Sequence, residues 1–411
     1  MRTIKNYVRA ALPILLGCLL FVACSDDDIA EKGVKEGLPA SLTFKMVVPD
    51  LNDAVVTRAG VEQETALNQL MFLFYKKSDT SKPAFAKVID QLGSWRIGSD
   101  GNDNSNRLYT VTISPGETDL NDNELMSGEY YLYALANWGN GFCSYDAEGY
   151  ASKSLDELKS AILARESSAN VLDIINNTPM TGIYGRDDGS IEIYEGENSF
   201  GNTDETRVHL RRAVAKVIFN ISTVDGITFT PERYSIYHYS QSSTLMERSG
   251  WGGDQGTKPG NLSYEGNNSF SDFEDLAFSD GTPNSFEFYM PENVQRAKDS
   301  NFTDVKMREK RESETNEKFK YAPEKSTYIV IEGHYNGPRN ASSDETAIYD
   351  GDVKYTIQLG DFDATRGGID NFTIRRNVKY TYNVKVKGVN NIITEASAEN
   401  FDAEPQPGAE G

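Results

Sequence analysis

The chain has 411 residues, enough for two domains of ordinary size, and it carries a net charge of −21. Residues 1–58 hold equal numbers of acidic and basic side chains, so the whole acidic excess lies in residues 59–411. That excess repels phosphate groups and anionic lipid, which excludes nucleic acid as a partner of this region.

Cysteine is scarce in this sequence. Of three cysteines, Cys18 and Cys24 lie near the N-terminus, and only Cys143 lies in the acidic region. A single cysteine cannot form an internal disulfide, so this region must fold through its hydrophobic core alone. The 22 tyrosines and 19 phenylalanines, with few helix-periodic segments, predict a mostly β protein.

The chain begins with the pattern of a secretory leader. Three basic residues precede an apolar run that is too short to span a bilayer and predicts a signal peptide over residues 1–23. Cys24 and the acidic residues 25–28 follow, an order that resembles a bacterial lipoprotein leader with lipidation at Cys24. Cys18 also ends a lipobox-like stretch, but cleavage before it would leave the apolar residues 19–22 in the mature chain.

The first predicted strand covers residues 41–48. Its alternate residues Leu42, Phe44, Met46 and Val48 point to one face, and burying them would stabilise the fold by about 6–12 kcal/mol. A whole domain is stable by only ~5–15 kcal/mol, so removing this strand would leave an apolar groove with unpaired backbone on both sides. The same alternation also suits a permanent first strand.

A candidate protease site follows this strand. Arg58 and Ala59 lie in a polar segment, which predicts cleavage after the arginine. Residues 24–58 are then a lipidated propeptide that includes the first strand.

Further strands are predicted along the N-terminal half. A nearly continuous apolar run suits a strand buried on both faces, while alternation predicts half-buried ones. Ser154 and Glu157 form a capping box that predicts one helix, with Leu155, Leu158, Ile162 and Leu163 as its apolar residues. The predicted strands lie at residues 67–75, 108–113, 128–138, near 191 and at 211–221, the last of which closes the first domain.

A second set of strands fills the C-terminal half, at residues 234–239, 285–289, 327–335, 353–359 and 379–387. The polar stretch 250–268 lies between them, and the charge-dense stretch 299–325 predicts an exposed loop. The domain boundary is predicted near residues 222–226. This spacing favours two β-sandwich domains in tandem, over residues 59–222 and 223–411.

Several segments resemble the fimbrillins of Bacteroidales, the subunits of type V pili. No single segment is specific, and the order along the chain carries the resemblance. The segments are the leader, Thr-Arg-Ala at 57–59, Tyr-Tyr-Leu-Tyr-Ala-Leu-Ala-Asn at 130–137, Pro-Met-Thr-Gly at 179–182, residues 210–217, Phe-Tyr-Met-Pro-Glu-Asn at 288–293, residues 327–329 and residues 376–380.

The resemblance implies a fold and a function. The fold is two β-sandwiches of transthyretin-like or Ig-like type, and the function is that of a structural subunit of a surface fimbria with an adhesive role. Its partners are other fimbrial subunits, an arginine-specific protease and a transient lipid anchor in the outer membrane. The protease removes the first strand, and a strand from a neighbouring subunit takes its place.

The C-terminal segment departs from the family, which carries its donor strand at the extreme C-terminus. The last strong strand signal is residues 379–387, and Ile392 and Ile393 alone favour a strand beyond it. Residues 404–411 contain two prolines and two glycines and cannot form a ladder. Either residues 389–396 are the donor, or the chain lacks one and is a tip or anchor subunit, or its C-terminal region is missing from the sequence.

Catalytic patterns are absent from the sequence. His209, His238 and His334 lie in or beside strand patterns, as structural histidines do, and no nucleophile elbow, phosphate loop or zinc motif occurs. The sequence therefore predicts no enzyme, no cofactor and no metal site. A fimbrial subunit would shed residues 24–58, whereas the alternative, a monomeric surface lipoprotein that binds a ligand such as a glycan, would keep them as its tether.

Overall fold

A computed structural model of the chain describes residues 34–49, 67–89, 98–103, 106–138, 146–164, 178–185, 187–240, 242–246, 276–277, 284–295, 303–313, 316–341, 347–362 and 368–400. Over these residues it is mostly β, with sheets that form β-sandwich layers and with two short α-helices, so the predicted fold class is confirmed. The residues that resemble fimbrillins in the leader and at 57–59 lie outside the described residues.

The N-terminal half forms one ten-stranded sheet. Its main path runs β3-β2-β6-β8-β11-β1-β5-β4, with β10 paired to β1 and β9 paired to β6. Its strands are β1 (Ala40–Pro49), β2 (Leu70–Lys76), β3 (Phe85–Ile89), β4 (Gly98–Asp103), β5 (Asn106–Ile113), β6 (Gly128–Ala136), β8 (Met180–Tyr184), β9 (Ser190–Ile193), β10 (Gly196–Ser199) and β11 (Val208–Arg212). A further short strand, β7 (Ile162–Ala164), lies outside this sheet and pairs with residues 242–244. The helices are α1 (Ala147–Ala151) and α2 (Leu155–Ser160).

The C-terminal half forms two four-stranded sheets. One has the order β16-β12-β21-β22 and the other β15-β13-β19-β20. The strands are β12 (Val214–Thr223), β13 (Thr228–Tyr237), β14 (Ser242–Thr244), β15 (Leu276–Ala277), β16 (Ser285–Pro291), β17 (Arg311–Ser313), β18 (Asn316–Phe319), β19 (Tyr328–Pro338), β20 (Ile348–Gln358), β21 (Val378–Gly388) and β22 (Asn391–Asn400). Short 3-10 helices cover Asp204–Thr206 and Val305–Met307.

Three buried clusters hold these sheets together. The N-terminal core joins five residues of β1 to side chains from β2, β5, β6 and β11. The C-terminal core is built between Ala215 and Val386 and includes Phe219, Phe288 and Tyr382. A middle core packs α1, α2 and one face of β2 and β6 against Val214, Leu245 and Tyr289.

The single strand predicted over residues 211–221 is wrong. β11 ends at Arg212 in the N-terminal sheet, and β12 begins at Val214, between β16 and β21. No glycine, proline or other turn residue separates the two strands, so the sequence hides the change of sheet at Ala213. The division into domains near residues 222–226 stays a prediction, although the chain changes sheets before that point.

The helix predicted from the capping box is shorter than its apolar pattern. Ser154 and Glu157 form the reciprocal capping bonds, and α2 then ends at Ser160. Ala161 has extended backbone, and Ile162 and Leu163 lie in β7, which pairs with β14. The sequence analysis also missed α1.

The exposed loop predicted over residues 299–325 is wrong as well, because part of it is anchored in the interior. Arg308 is fully buried, donates to the carbonyls of Ile369 and Asn371 at 2.7 and 2.8 Å, and stacks between the rings of Phe362 and Phe372. A buried guanidinium that finds carbonyl acceptors can replace its hydration shell.

The segment after β21 turns back as β22. Ten residue pairs join β22 antiparallel to β21, and Lys379 forms an ion pair with Glu399 at 2.9 Å. Residues 401–411 lie outside the described residues.

Candidate functional site

The seat of β1, meaning the walls of the N-terminal sheet and core that enclose this strand, is the candidate functional site. β1 is paired on both of its edges. β5 runs antiparallel along Leu42–Pro49, while β10 pairs in parallel with Ala40–Thr43 and β11 with Met46 and Val47. A strand bonded along both edges fills a gap in the sheet, and its removal would free backbone donors and acceptors on both sides.

The four predicted inward residues share one buried face. Leu42, Phe44, Met46 and Val48 are each 0% exposed. The ring of Phe44 meets the ring of Phe72 edge-on, with centroids 4.9 Å apart and planes at 90°. Edge-to-face packing of aromatic rings adds about 0.5–1.5 kcal/mol to the burial of their area. The alternation read from the sequence therefore corresponds to the burial pattern of β1.

The opposite face of β1 is held by polar contacts. The hydroxyls of Thr43 and Thr112 lie 3.3 Å apart, and the backbone N–H of Phe200 donates to the Thr43 carbonyl at 2.8 Å. The amide of Asn198 donates to the Ser41 carbonyl at 3.1 Å and accepts from the N–H of Tyr194 at 2.8 Å. These contacts fix the register of β1 against β10, because each bond joins a particular pair of residues.

Gly201 sits where the chain passes closest to β1. It has φ +105, in the region that favours glycine, and a Cβ there would lie 2.5 Å from the Cβ of Lys45. Only glycine allows the segment between β10 and β11 to approach β1 this closely. The sequence analysis missed both Gly201 and Asn198, and the short repeat of glycines around an asparagine at residues 196–201 is the signal that marks a tight connection.

The segment before β1 is also fastened to the sheet. The hydroxyl of Ser127 donates to the Lys35 carbonyl at 2.6 Å, and the N–H of Leu38 donates to that hydroxyl oxygen at 3.0 Å. The N–H of Ala40 donates to the Leu125 carbonyl at 3.0 Å. Residues 35–49 therefore form one continuous attachment to the N-terminal half.

The remaining predicted site residues cannot be placed. Cys24, Arg58 and Ala59 lie outside the described residues, so lipidation and cleavage at these positions stay predictions. The end of β1 and the start of β2 bracket the candidate cleavage segment in the sequence.

Titratable groups near the seat suit a structural role. Burial, with a smaller contribution from the nearby charge of Glu36, raises the pKa of Tyr130 to about 12, and its hydroxyl donates to the Met126 carbonyl at 2.9 Å. Burial also raises the pKa of Tyr184 to about 12. Both tyrosines therefore stay neutral at physiological pH and act as apolar walls of the seat.

The three histidines have polar neighbours. A ring nitrogen of His209 lies 2.8 Å from the Asp204 carbonyl, and one of His238 lies 3.1 Å from the Ser326 carbonyl. His334 lies between the carboxylates of Asp350 and Asp352. Within the described ranges, no three His, Cys, Asp or Glu side chains group as ligands for a metal ion. In the same ranges, no helix has the length and apolar content needed to cross a bilayer.

Comparison with known proteins gives one family match and several similar folds. Residues 288–384 match a domain of unknown function, DUF4906. No curated protein matches the sequence.

Among solved structures, a fimbrilin (FimA) of Porphyromonas gingivalis has a TM-score of 0.52 at 13% identity, covering 90% of this chain and 99% of that one. A protein of Parabacteroides distasonis described as a candidate for cell adhesion has a TM-score of 0.51 at 14% identity, covering 89% of this chain and 100% of that one. The tip fimbrial protein Mfa3 of Porphyromonas gingivalis, with a C-terminal truncation, has a TM-score of 0.50 at 15% identity, covering 88% and 99%. The resemblance to fimbrillins is thus confirmed at the level of the fold, which this chain shares over most of its length.

Proposed function

We propose that this protein is a structural subunit of a surface fimbria, with an adhesive role, and that it assembles by strand exchange at the seat of β1. It is not an enzyme. Cleavage after Arg58 releases residues 24–58, including β1, and a strand of a neighbouring subunit enters the vacated seat. The observation that carries the proposal is that β1 bonds along both edges and buries four large side chains. Its covalent link to the strands that follow it runs through the segment that holds Arg58.

The physical argument rests on what removal of β1 would expose. Four apolar side chains with no solvent exposure would leave an apolar groove, which costs free energy in water. The edges of β5, β10 and β11 would offer unpaired N–H and C=O groups along the same groove. An extended segment satisfies both needs at once, through main-chain bonds and side-chain pockets at alternate positions.

Export and location follow from the leader. We propose that Cys24 is lipidated and that the precursor is held at the outer membrane until an arginine-specific protease cuts it. The matured protein then resides in the fimbrium at the cell surface. The fold shared with a fimbrilin and with a tip fimbrial protein supports this location without assigning the position of this subunit in a fibre.

Substitution of the predicted cleavage residue tests the proposal. Arg58→Ala should leave the N-terminal segment attached and abolish incorporation into surface fibres, read by N-terminal sequencing and electron microscopy. Lys35→Ala is the control, since it removes another basic side chain from the same segment but leaves the candidate site intact. Normal cleavage and normal fibres from Arg58→Ala would contradict the assignment of Arg58 as the cleavage site. A native chain that keeps residues 24–58 at the cell surface and enters no fibre would contradict the proposal and favour the monomeric, ligand-binding lipoprotein.

A further inference from the structure

The seat of β1 restricts the side chains of an occupying strand more closely than a simple apolar groove would. Its inner face receives, in order, a leucine, a phenylalanine, a methionine and a valine, all without exposure. Phe44 is fixed by its edge-on contact with Phe72. Interiors are packed densely, so a smaller residue at any of these positions leaves a cavity.

The outer side of the seat adds a second restriction. Gly201 approaches the Cβ of Lys45 so closely that the strand cannot shift sideways or bulge at this position. Asn198 and Phe200 bond to the carbonyls of Ser41 and Thr43, which fixes where the backbone of an occupant must lie. A slip by one residue would turn the polar face inward.

β22 is the strand that a second copy of this chain could most readily offer. It has ten residues, as β1 does, and it lies at the edge of its sheet beside β21. The other long edge strand, β20, leads directly into Leu359 and Phe362, which belong to the C-terminal core.

The side chains of β22 do not match the seat. Those that face the C-terminal core are Ile392, Ala396 and Ala398, with Thr394 between them in the alternation. Placed in the seat, they would set threonine and alanine where the phenylalanine, methionine and valine of β1 now pack, and reversing the strand direction does not repair this. The opposite face of β22 would bury Glu395 and Glu399, which is worse because neither carboxylate would have a partner.

We infer that the seat of β1 selects a strand with four large apolar residues at alternate positions, the second of them aromatic, and that it rejects β22 of a second copy. This inference rests on the proposed exchange of β1. The occupant is then a strand of another protein with the β1 pattern, so that this subunit joins unlike neighbours through this seat rather than stacking on copies of itself through β22.

Exchange on the cleaved protein tests the inference. The full chain is cut after Arg58, and the complex that retains the β1 fragment is incubated with excess fluorescent peptides. The first peptide has the sequence of residues 40–49, the second that of residues 391–400, and the third is the second with Ile392→Leu, Thr394→Phe, Ala396→Met and Ala398→Val. We expect the first and third peptides to be incorporated and the second to bind at least ~1,000-fold more weakly, about 4 kcal/mol.

The outcomes separate the inference from the proposed function. If the β22 peptide enters as well as the β1 peptide, the selectivity is wrong while strand exchange stands. If the β1 peptide itself does not enter, the proposed exchange is wrong, and the inference falls with it.

A second arm needs no cleavage. Residues 41–49 of the full chain are replaced by the sequence of residues 391–399 or by its four-substitution form, so that residues 392, 394, 396 and 398 take the places of residues 42, 44, 46 and 48. Thermal unfolding is then measured. We expect the β22 replacement to lower the melting temperature of the N-terminal half and the substituted form to restore most of it. Equal melting temperatures for the two replacements and the native chain would overturn the inference.

Discussion

The N-terminal and C-terminal halves differ in where their cores come from. The N-terminal core takes five residues from β1, all of which precede Arg58 in the sequence. The C-terminal core lies wholly between Ala215 and Val386, with Ile392, Ala396 and Ala398 of β22 packed against it. A cut at Arg58 therefore removes the centre of one core and leaves the other intact.

This difference indicates that the N-terminal half depends on a strand that cleavage can remove, whereas the C-terminal half does not. β1 closes its sheet from the middle, bonded on both edges, whereas β22 closes its sheet from one side and stays partly exposed. Losing β22 would uncover an edge, while losing β1 would divide a sheet. The middle core, with Tyr75 and Leu158 on one side and Val214 and Tyr289 on the other, holds the two halves in contact without residues from β1.

The largest expected effect comes from truncating the central side chain of β1. Phe44→Ala should lower the free energy of unfolding of the precursor by about 3–5 kcal/mol, because it removes a fully buried ring and leaves a cavity beside Phe72. Hydrogen exchange should show lost protection in β2, β5 and β11 and unchanged protection in β12 and β21. Ile348→Ala is the control, since Ile348 is 64% exposed and its truncation should change stability by less than ~0.5 kcal/mol.

Uniform loss of protection in both halves of Phe44→Ala would break the comparison, because it would mean that the halves unfold as one unit.

The next effect concerns a buried ion pair in the C-terminal half. Arg376 donates to Glu292 at 3.0 Å through Nε and to the Leu245 carbonyl at 2.9 Å through Nη1. Arg376→Met should cost about 3–5 kcal/mol of unfolding free energy in denaturant titration, because it leaves a buried carboxylate and buried carbonyls without their donor. Arg233→Met is the matched control: Arg233 is half exposed in its pair with Glu332 and should contribute only ~0–1 kcal/mol.

If Arg376→Met and Arg233→Met lowered the free energy of unfolding by nearly equal amounts, burial would not determine how much these ion pairs contribute to stability. The predicted order would then be wrong.

The C-terminal half should show a pH effect that comes from one buried carboxyl group. Burial raises the pKa of Glu309 to about 7, against the opposing pull of the Arg308 charge, and its carboxyl accepts the N–H of Gln358 at 3.1 Å. The folded state therefore holds this proton more tightly than the unfolded chain, whose pKa lies near 4.5. The resulting stability is fully present below pH 4.5 and is lost as the pH rises through about 7.

Glu309→Gln should make the free energy of unfolding depend less on pH, between pH 4.5 and 8, than it does in the native chain. Denaturant titrations across that range measure it, with Glu324→Gln, another carboxylate of the same segment, as the control. If Glu309→Gln left the slope of unfolding free energy against pH unchanged, Glu309 would not be the group that causes this pH dependence.

The smallest effect lies at the start of α2. Ser154→Ala should lower the free energy of unfolding by about 1 kcal/mol, because the Ser154 hydroxyl accepts a hydrogen bond from the Glu157 N–H at 3.2 Å. The Glu157 carboxylate in turn accepts one from the Ser154 N–H. Ser160→Ala, at the exposed end of the same helix, should cost less, and equal losses in the two variants would argue against the cap. Thermal unfolding followed by circular dichroism resolves the difference.

Local patterns predicted much of this fold. The alternation at Leu42, Phe44 and Met46 is a property of one strand, so it could be read without knowing what lies on either side. The capping box at Ser154 and Glu157 is likewise local. Five strands of the C-terminal half, β13, β16, β19, β20 and β21, were predicted for the same reason, although several extend beyond the predicted ends. β22 was not predicted as a full strand.

Long-range pairing decided what the sequence could not reveal. No turn residue marks Ala213 as the end of a strand. Only the pairing of β11 with β8 and of β12 with β16 separates the two strands. Arg308 lies in a charge-dense stretch that looks solvated, and its acceptors come from residues more than 49 positions away. The contact of Gly201 with β1 joins residues 156 apart, so the seat could not be drawn from the sequence.

The central claim is that β1 leaves the protein during assembly. Mass spectrometry of fibres isolated from cells measures this directly, by comparing peptides from residues 40–49 with peptides from β12 and β21. The account predicts that the subunit begins at Ala59 and that peptides of residues 40–49 are absent from the fibre. Recovery of those peptides in amounts equal to the rest of the chain would contradict it, because β1 would then be a permanent strand.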